Sequence, residues 1–516
     1  MRNKYLYITL LSILGITPDT MGQSKIQYAP RLVVSITIDQ LRTDYLEAFT
    51  PLYCNDGFKR LLQHGRVFYN ANYPYSPIDR ASATATVATG ATPYYHSIVG
   101  ERWLNRETLR PVYCLGEELR PSFLATSTLG DELKVSTEGK AKVYSISPFN
   151  DAAILSAGHA ANAAFWIDEK DGLWHTSPYY QAQLPSWLLT HNELHAPAKE
   201  QKLQLWEPLF EVTGKFNYFQ HTENTQKPFK HKLSGHNRYE QLKTCALVNA
   251  CITELAQLCV TQETMGFDRI TDLLTVNYYA GTFNHQPMSE CQMELQDTYV
   301  RLDREVARLI AGIEQKIGAE HVLFVITSTG YSDTESADYE QYRIPTGTFY
   351  MDRTSNLLNM YFGAIWGQGR YIETCYRNQM FLNHKLLESK RISLTDACRR
   401  AQEFLSQMSG VRNVYSGLQL LTSINEQTEK IRNGYNPSRC GDVLIEVSPG
   451  WNILNEQTQE TQLSRASFIQ FPIIFYGASI TAERINDQVT VDRIAPTIAK
   501  SIRIRAPNAC SKEPLF

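Results

Sequence analysis

Two hydrophobic patterns alternate along the chain. The first is a short, almost unbroken apolar run rich in β-branched residues, as in a strand buried on both faces. Residues 31–39 (Arg-Leu-Val-Val-Ser-Ile-Thr-Ile-Asp) form the first such run, and 142–147, 273–276, 321–327 and 471–476 repeat it. The second is a spacing of three to four residues, clearest from 294 to 313, where Leu302, Val306 and Leu309 share one side of a long helix. Strands alternating with helices predict an α/β fold with a mostly parallel central sheet flanked by helices. Asp39 then ends the first strand, at the edge where open α/β sheets hold ligands.

Three stretches depart from the pattern. Residues 75–93 read as a short helix opened by Pro77 and closed by Gly90 and Pro93, with alanines and threonines that allow close approach to a sheet. Residues 165–240, rich in aromatics, Gln and His, look like an insertion, and 340–460 hold a second mixed unit. Residues 1–22 read as a signal peptide: Arg2 and Lys4 precede an apolar run over 5–16, too short to span a bilayer. The expectation is an exported chain, periplasmic or associated with the cell envelope, whose residues 23–516 form one domain with two insertions.

Composition narrows this little. With 43% hydrophobic and 20% charged residues and a formal net charge of -3, nothing global points to nucleic acid or an anionic membrane. Ten cysteines suit an oxidising compartment, but no C-x-x-C pair occurs, which argues against a zinc ribbon or a thioredoxin-type site. Their pairing stays open.

A set of motifs carries more. In order they are Ile38-Asp39-Gln40-Leu41-Arg42 with Asp44-Tyr45-Leu46, then Gly57-Phe58 through Leu62, and Thr89-Gly90 to Pro93 with His96. Ala153 to Leu155, Ala157-Gly158-His159, Asp297 to Asp303, Asn433-Gly434-Tyr435-Asn436-Pro437, Gly441-Asp442-Val443 and Pro472 to Gly477 follow. Together they resemble the flavobacterial phosphate-irrepressible periplasmic alkaline phosphatases, which stand with nucleotide pyrophosphatases and phosphodiesterases in the alkaline phosphatase superfamily. The resemblance implies a phosphate-ester hydrolase using two zinc ions and a Thr or Ser nucleophile. One metal activates the nucleophile, the other stabilises the leaving oxygen, and both neutralise the phosphoryl group.

Carried over position by position, that machinery is largely absent. The first aspartate ligand falls on Asp39. The nucleophile falls on Arg80, which cannot attack phosphorus and whose charge repels a metal. The Asp/His ligand pair falls on Gly281 and His285, the Asp-His turn on Ser328 and Thr329, and the last histidine on Gln470. At most two of six ligands remain. Glu101 replaces a substrate-contacting asparagine, and Phe149 and Asp151 replace the lysine and arginine that clamp phosphate. The expectation is a non-catalytic relative with no cofactor, acting as a binding or scaffold component toward an envelope protein or glycan. The alternatives are an active hydrolase with rearranged zinc ligands and a sensor of an anionic ligand.

Several residues qualify that picture. Asp39 is expected to pair with Arg80 within about 6 Å. Ser82, Thr84 and Thr86 lie near the old nucleophile but read as helix packing. His191 and His195 have the i, i+4 spacing of a metal pair, yet read as surface histidines. Arg80, Arg102 and Arg106 offer charge for an anion. Trp166, Trp174, Tyr179, Tyr180 and Trp187 offer a recognition face, or ordinary packing.

Overall fold

The computed structural model describes residues 29–209, 229–332, 343–463 and 469–516. The expected signal peptide lies outside them. Among the described residues, no helix is long and apolar enough to cross a membrane.

A nine-stranded sheet organises the chain. Its middle is parallel, in the order Val322–Ser328, Leu32–Asp39, Asp272–Tyr279, Val143–Ser147, Ala163–Ile167. On one side Phe471–Gly477 and Arg66–Asn72 are each antiparallel to their inner neighbour, and Glu483–Thr490 pairs parallel to Arg66–Asn72 at the edge. The short strand Trp174–His175 closes the other edge antiparallel to Ala163–Ile167. The α/β architecture with a mostly parallel sheet is therefore as the pattern predicts, and each apolar run sits in it.

The runs are unbroken because both faces are covered. Val33, Leu273 and Leu323 face a core shared with Ile494 and Ile498 of the helix Ile494–Ile502. Val34, Ile36 and Leu274 face the opposite core, shared with Leu302, Val306 and Leu309 of the helix Gln292–Ile317. The segment 343–463 carries its own four-stranded sheet, Ile372–Tyr376, Gln379–Leu382, Val443–Val447 and Val411–Ser416 in spatial order, over a separate apolar cluster.

The helix after the first crossover runs Arg80–Thr89. It starts three residues beyond Pro77, the expected opening residue, because Asp79 caps it: the Asp79 carboxylate accepts from the Ser82 amide at 2.9 Å. Gly90, in the left-handed region at φ 65°, ends it. Ala81 and Ala85 pack against Ala153, Ile154 and Ala157 of the helix Asn150–Ala157, an approach that larger side chains would block. Thr86 is tied to buried His96. The His96 Nδ1 accepts from the Ile98 amide at 3.1 Å, so its proton sits on Nε2, 3.0 Å from the Thr86 hydroxyl.

The remaining motifs are joints. Asp303, fully buried, accepts from the amides of Cys54 and Phe58 at 2.7 Å each, holding the helix Phe58–His64 by its N-terminus. Gly57 is required there, since a Cβ would lie 2.1 Å from the Asp303 carboxylate. Asp297 accepts from Trp206 Nε1 at 2.6 Å and from the Leu209 amide at 2.8 Å, pinning part of the 165–240 stretch to the long helix. Asp442 binds Arg106 through both oxygens at 2.9 Å, and Asn433 donates to the Pro74 carbonyl at 2.9 Å, docking the 343–463 unit beside the Arg80 helix.

Two stability experiments follow from these joints. Asp303→Ala leaves two buried amides without acceptors and should cost roughly 2–4 kcal/mol by denaturant midpoint. Burial holds His96 neutral down to about 3, whereas an unfolded imidazole protonates near pH ~6.5. The unfolded chain therefore takes up the proton first, and stability falls as pH drops through that window. His96→Gln should flatten the measured slope of stability against pH between about 6 and 4.

Candidate functional site

The parallel strands all end at one edge, and the residues singled out from the sequence gather there. Asp39 closes the first strand opposite Tyr279, with Ser328 one register step away on the other neighbour. The Arg80 helix and the helix Asn150–Ala157 point their N-termini at the same edge, bringing Arg80, Phe149 and Asp151 to Asp39.

Arg80 is the hub. Its Nε donates to both oxygens of fully buried Asp151, at 3.0 and 3.1 Å, and its Nη1 lies 3.9 Å from Asp39 Oδ2. The expected Asp39–Arg80 pair is thus present, but Asp151 is the closer partner. The guanidinium also stacks 3.8 Å above the Phe149 ring. Asp151 further accepts from the Ala152 amide at 2.7 Å, in the first turn of its helix, where the macrodipole favours a negative charge. Burial works to discharge Arg80, but Asp151 and then Tyr331 and Asp39 outweigh it, and the guanidinium is held well above its ordinary range.

Both oxygens of Asp39 are engaged elsewhere too. Thr329 Oγ1 donates to Oδ1 at 2.8 Å and the Tyr331 hydroxyl donates to Oδ2 at 3.3 Å. Thr329 itself accepts from the Gln40 amide at 2.9 Å. Ser328 turns away, donating to the Leu41 carbonyl at 2.7 Å. At Gly281 a Cβ would sit 2.6 Å from the Tyr279 hydroxyl and 2.8 Å from Gln40 Cδ, so neighbouring side chains crowd the place of an aspartate. His285 and Gln470 are exposed, and Gln470 contributes its backbone carbonyl, which accepts from the Thr43 amide at 2.9 Å.

A two-zinc centre needs several anionic or imidazole donors converging on one another. The residues at the six positions supply one buried carboxylate, already bonded and facing a cation, with two hydroxyls and a glycine around it, and the exposed side chains of His285 and Gln470. That donor set does not fit such a centre. Among the described residues, Asp168, Asp171 and His175 alone bring three metal-type donors within 4.8 Å of one another. They belong to a turn on the far edge strand, where Asp168 and Asp171 accept from the amides of Lys170 and Leu173.

Lys243, Glu169 and Tyr331 gave no sequence signal, whereas Glu101 did. Lys243, almost wholly buried, sits 4.9 Å from the Phe149 ring centroid and pairs with Glu169 at 2.5 Å. Burial pushes its ammonium down while Glu169 opposes. Tyr331 reaches Asp39 from the segment after the Val322–Ser328 strand. Glu101 is half-buried beside this cluster; burial and then Asp151 push its carboxyl up, with Arg80 opposing.

Other candidates separate from the site. Arg106 is committed to Asp442, and Arg102 lies exposed over Tyr113, so Arg80 is the member of that trio held at the cluster. Ser82 completes the helix cap, Thr86 bonds His96, and the Thr84 hydroxyl is buried without a partner. Trp166 and Trp174 are core residues. All ten cysteines are free.

The family model for type I phosphodiesterase/nucleotide pyrophosphatase matches residues 33–467. The chain is 27% identical to the alkaline phosphatase PafA of Elizabethkingia meningoseptica over 98% of both chains. It is 28% identical to a protein of Myroides odoratus named calcium-transporting ATPase, over 93% of each. The crystal structure of wild-type PafA superposes with a TM-score of 0.80 at 25% identity, covering 94% of this chain and 98% of that one.

The charge cluster is testable by a double-mutant cycle. Arg80→Met strands the buried Asp151 and should cost about 3–5 kcal/mol in chemical denaturation. Arg80→Met with Asp151→Asn should recover most of that loss, because no uncompensated charge remains at that pair.

Proposed function

The chain belongs to the type I phosphodiesterase/nucleotide pyrophosphatase family, within the alkaline phosphatase superfamily, and from that membership we propose that it is a non-catalytic member whose phosphoryl-transfer centre is closed by its own side chains. One observation carries the reading: Arg80, onto which the family resemblance maps the nucleophile position, has its charge engaged by Asp151 and Asp39.

The chemistry of the family's resemblance requires a hydroxyl nucleophile, metals to lower its pKa, and cationic groups on the phosphoryl oxygens. A guanidinium offers no nucleophilic oxygen at pH 7. Its fixed charge, 3.9 Å from Asp39, opposes a cation at that carboxylate. Asp151 and Glu101 carry acidic side chains where an incoming phosphate would need cations, and Phe149 offers only a ring. The arginine does electrostatically what the metals would do for Asp39, without their reactivity. On this reading the protein is exported and works by binding at the cell envelope, its scaffold kept and its centre silent.

The family resemblance itself favours the rival reading of an active hydrolase, because PafA, at 27% identity, is an alkaline phosphatase. One preparation separates the two: protein exported in zinc-replete medium, with metal measured by mass spectrometry and turnover of aryl phosphate mono- and diesters on the same sample. The expected result is near-zero stoichiometric metal and no turnover. About two metals per chain with turnover, as a working two-metal site requires, would overturn the proposal. Arg80→Thr by itself should stay inactive, since restoring a hydroxyl leaves the missing ligands missing.

A further inference from the structure

The aromatic stretch of the 165–240 segment contains one tryptophan that is only partly buried, packed against the edge of the main core. Trp187 lines an open cleft of 730 Å³ between the helices Ser186–Leu194 and Val248–Gln262. A tighter recess of 280 Å³ shares His191, His195 and Glu254 with it. The larger volume falls within the range of ligand pockets, roughly 300–1,000 Å³.

The walls hold polar groups whose bonding is unmet. The Trp174 Nε1–H, buried beside the inner recess, has no acceptor among the described residues. His191 lines both spaces at 6% exposure, and among the described residues its imidazole has a ring contact with His195 but no hydrogen bond. Glu254 lines both spaces as well, half-buried, with no hydrogen bond or ion pair among the described residues. Of these the Trp174 Nε1–H is closed off from solvent, and a buried polar group left unbonded costs free energy, so the recess marks a place where something polar belongs.

Two cations of the walls are paired with acids: Lys202 with Glu200 at 3.2 Å and Arg308 with Glu305 at 2.5 Å. Lys316 keeps its charge, donating among the described residues only to the Gln257 carbonyl at 3.2 Å and to the Thr261 hydroxyl, and Glu254 on the same cleft offsets it, so the walls favour neither an anion nor a cation. Among the described residues, His191, His195 and Glu254 do not form a donor set converging within 4.8 Å. What is unmet is one N–H donor, one carboxylate acceptor, and an imidazole that is one of each, kept neutral by burial and by His195. A hydroxyl both donates and accepts. Trp187 adds a rigid apolar surface, its Nε1 fixed on Glu263 at 2.7 Å and its ring packed edge-on to Phe165 at 5.7 Å. Rigid indole surface beside hydroxyl-matching polar groups suits a ring with an apolar face and a polar rim.

We propose that this cleft is a binding site for a neutral, polyhydroxylated ligand, a short oligosaccharide. The site lies apart from the Arg80 cluster and does not depend on that cluster being inactive.

The test is a tryptophan-fluorescence titration of the mature chain with maltotriose, cellotriose and triacetylchitotriose, and with glucose 6-phosphate as the charged counterpart. Saturable binding of at least one neutral sugar is expected at Kd values below about 1 mM. Glu254→Gln, a conservative change in a half-buried side chain, should weaken it at least about tenfold by removing a charged hydrogen bond. Trp187→Ala should abolish it, with thermal melting confirming that each variant is folded. His175→Gln, outside the cleft, should leave affinity unchanged. Failure of all three neutral sugars at millimolar concentration, binding of the sugar phosphate alone, or indifference to Glu254→Gln would each overturn the proposal.

Discussion

A largely buried guanidinium between two buried carboxylates is the constraint on which the carboxyl edge of this sheet depends. Each of those charges alone would cost several kcal/mol to bury. Together they are tolerated because Arg80 meets Asp151 through both oxygens and because Asp39 has two hydroxyl donors besides. The strand end, two helix N-termini and the segment carrying Thr329 and Tyr331 must therefore arrive in fixed positions. The same interaction leaves the Asp39 carboxylate bonded to two hydroxyls and facing a cation.

Away from that edge, the motifs shared with alkaline phosphatases serve structural ends that involve no phosphate. Asp303 anchors a helix through two amides, Asp442 holds Arg106, and Asn433 reaches the loop ahead of Arg80. Such joints need the same residue types whether or not the protein turns over a substrate. Buried carboxylates bonded to backbone are expensive to lose, whereas metal ligands matter to a fold only while the metal is used.

The cleft beside Trp187 is a different kind of surface. Its polar groups are held by helices that the central sheet orients, and they come from sequence positions more than a hundred residues apart, as Lys202 and Arg308 illustrate. The i, i+4 spacing of His191 and His195 suggests a metal pair, but their donors do not converge with a third. Instead the two rings lie side by side, centroids 5.8 Å apart, with His191 turned into the protein and His195 toward solvent near Glu200.

By itself the sequence determined the α/β class, the parallel strands, the long amphipathic helix and the position of Asp39 at a strand end, because periodicity and β-branched runs are local signals of burial. The expectation that the nucleophile position falls on Arg80 also came from the sequence alone, through the register of the flanking motifs. Only the tertiary structure decided which acid Arg80 binds first. Asp151 is 71 residues away, and its approach depends on two alanine-rich helices packing closely. Lys243, Glu169 and Tyr331 were illegible for the same reason: nothing in their neighbours along the chain distinguishes a lysine that will be buried against Phe149 from one that will sit in water. The helix start at Arg80 rather than at Pro77 turned on the Asp79 cap, a hydrogen bond that a proline a little upstream obscures in the sequence. Charge pairing and cap geometry are set by distances in space, and those exist only once the sheet has brought the strand ends to one edge.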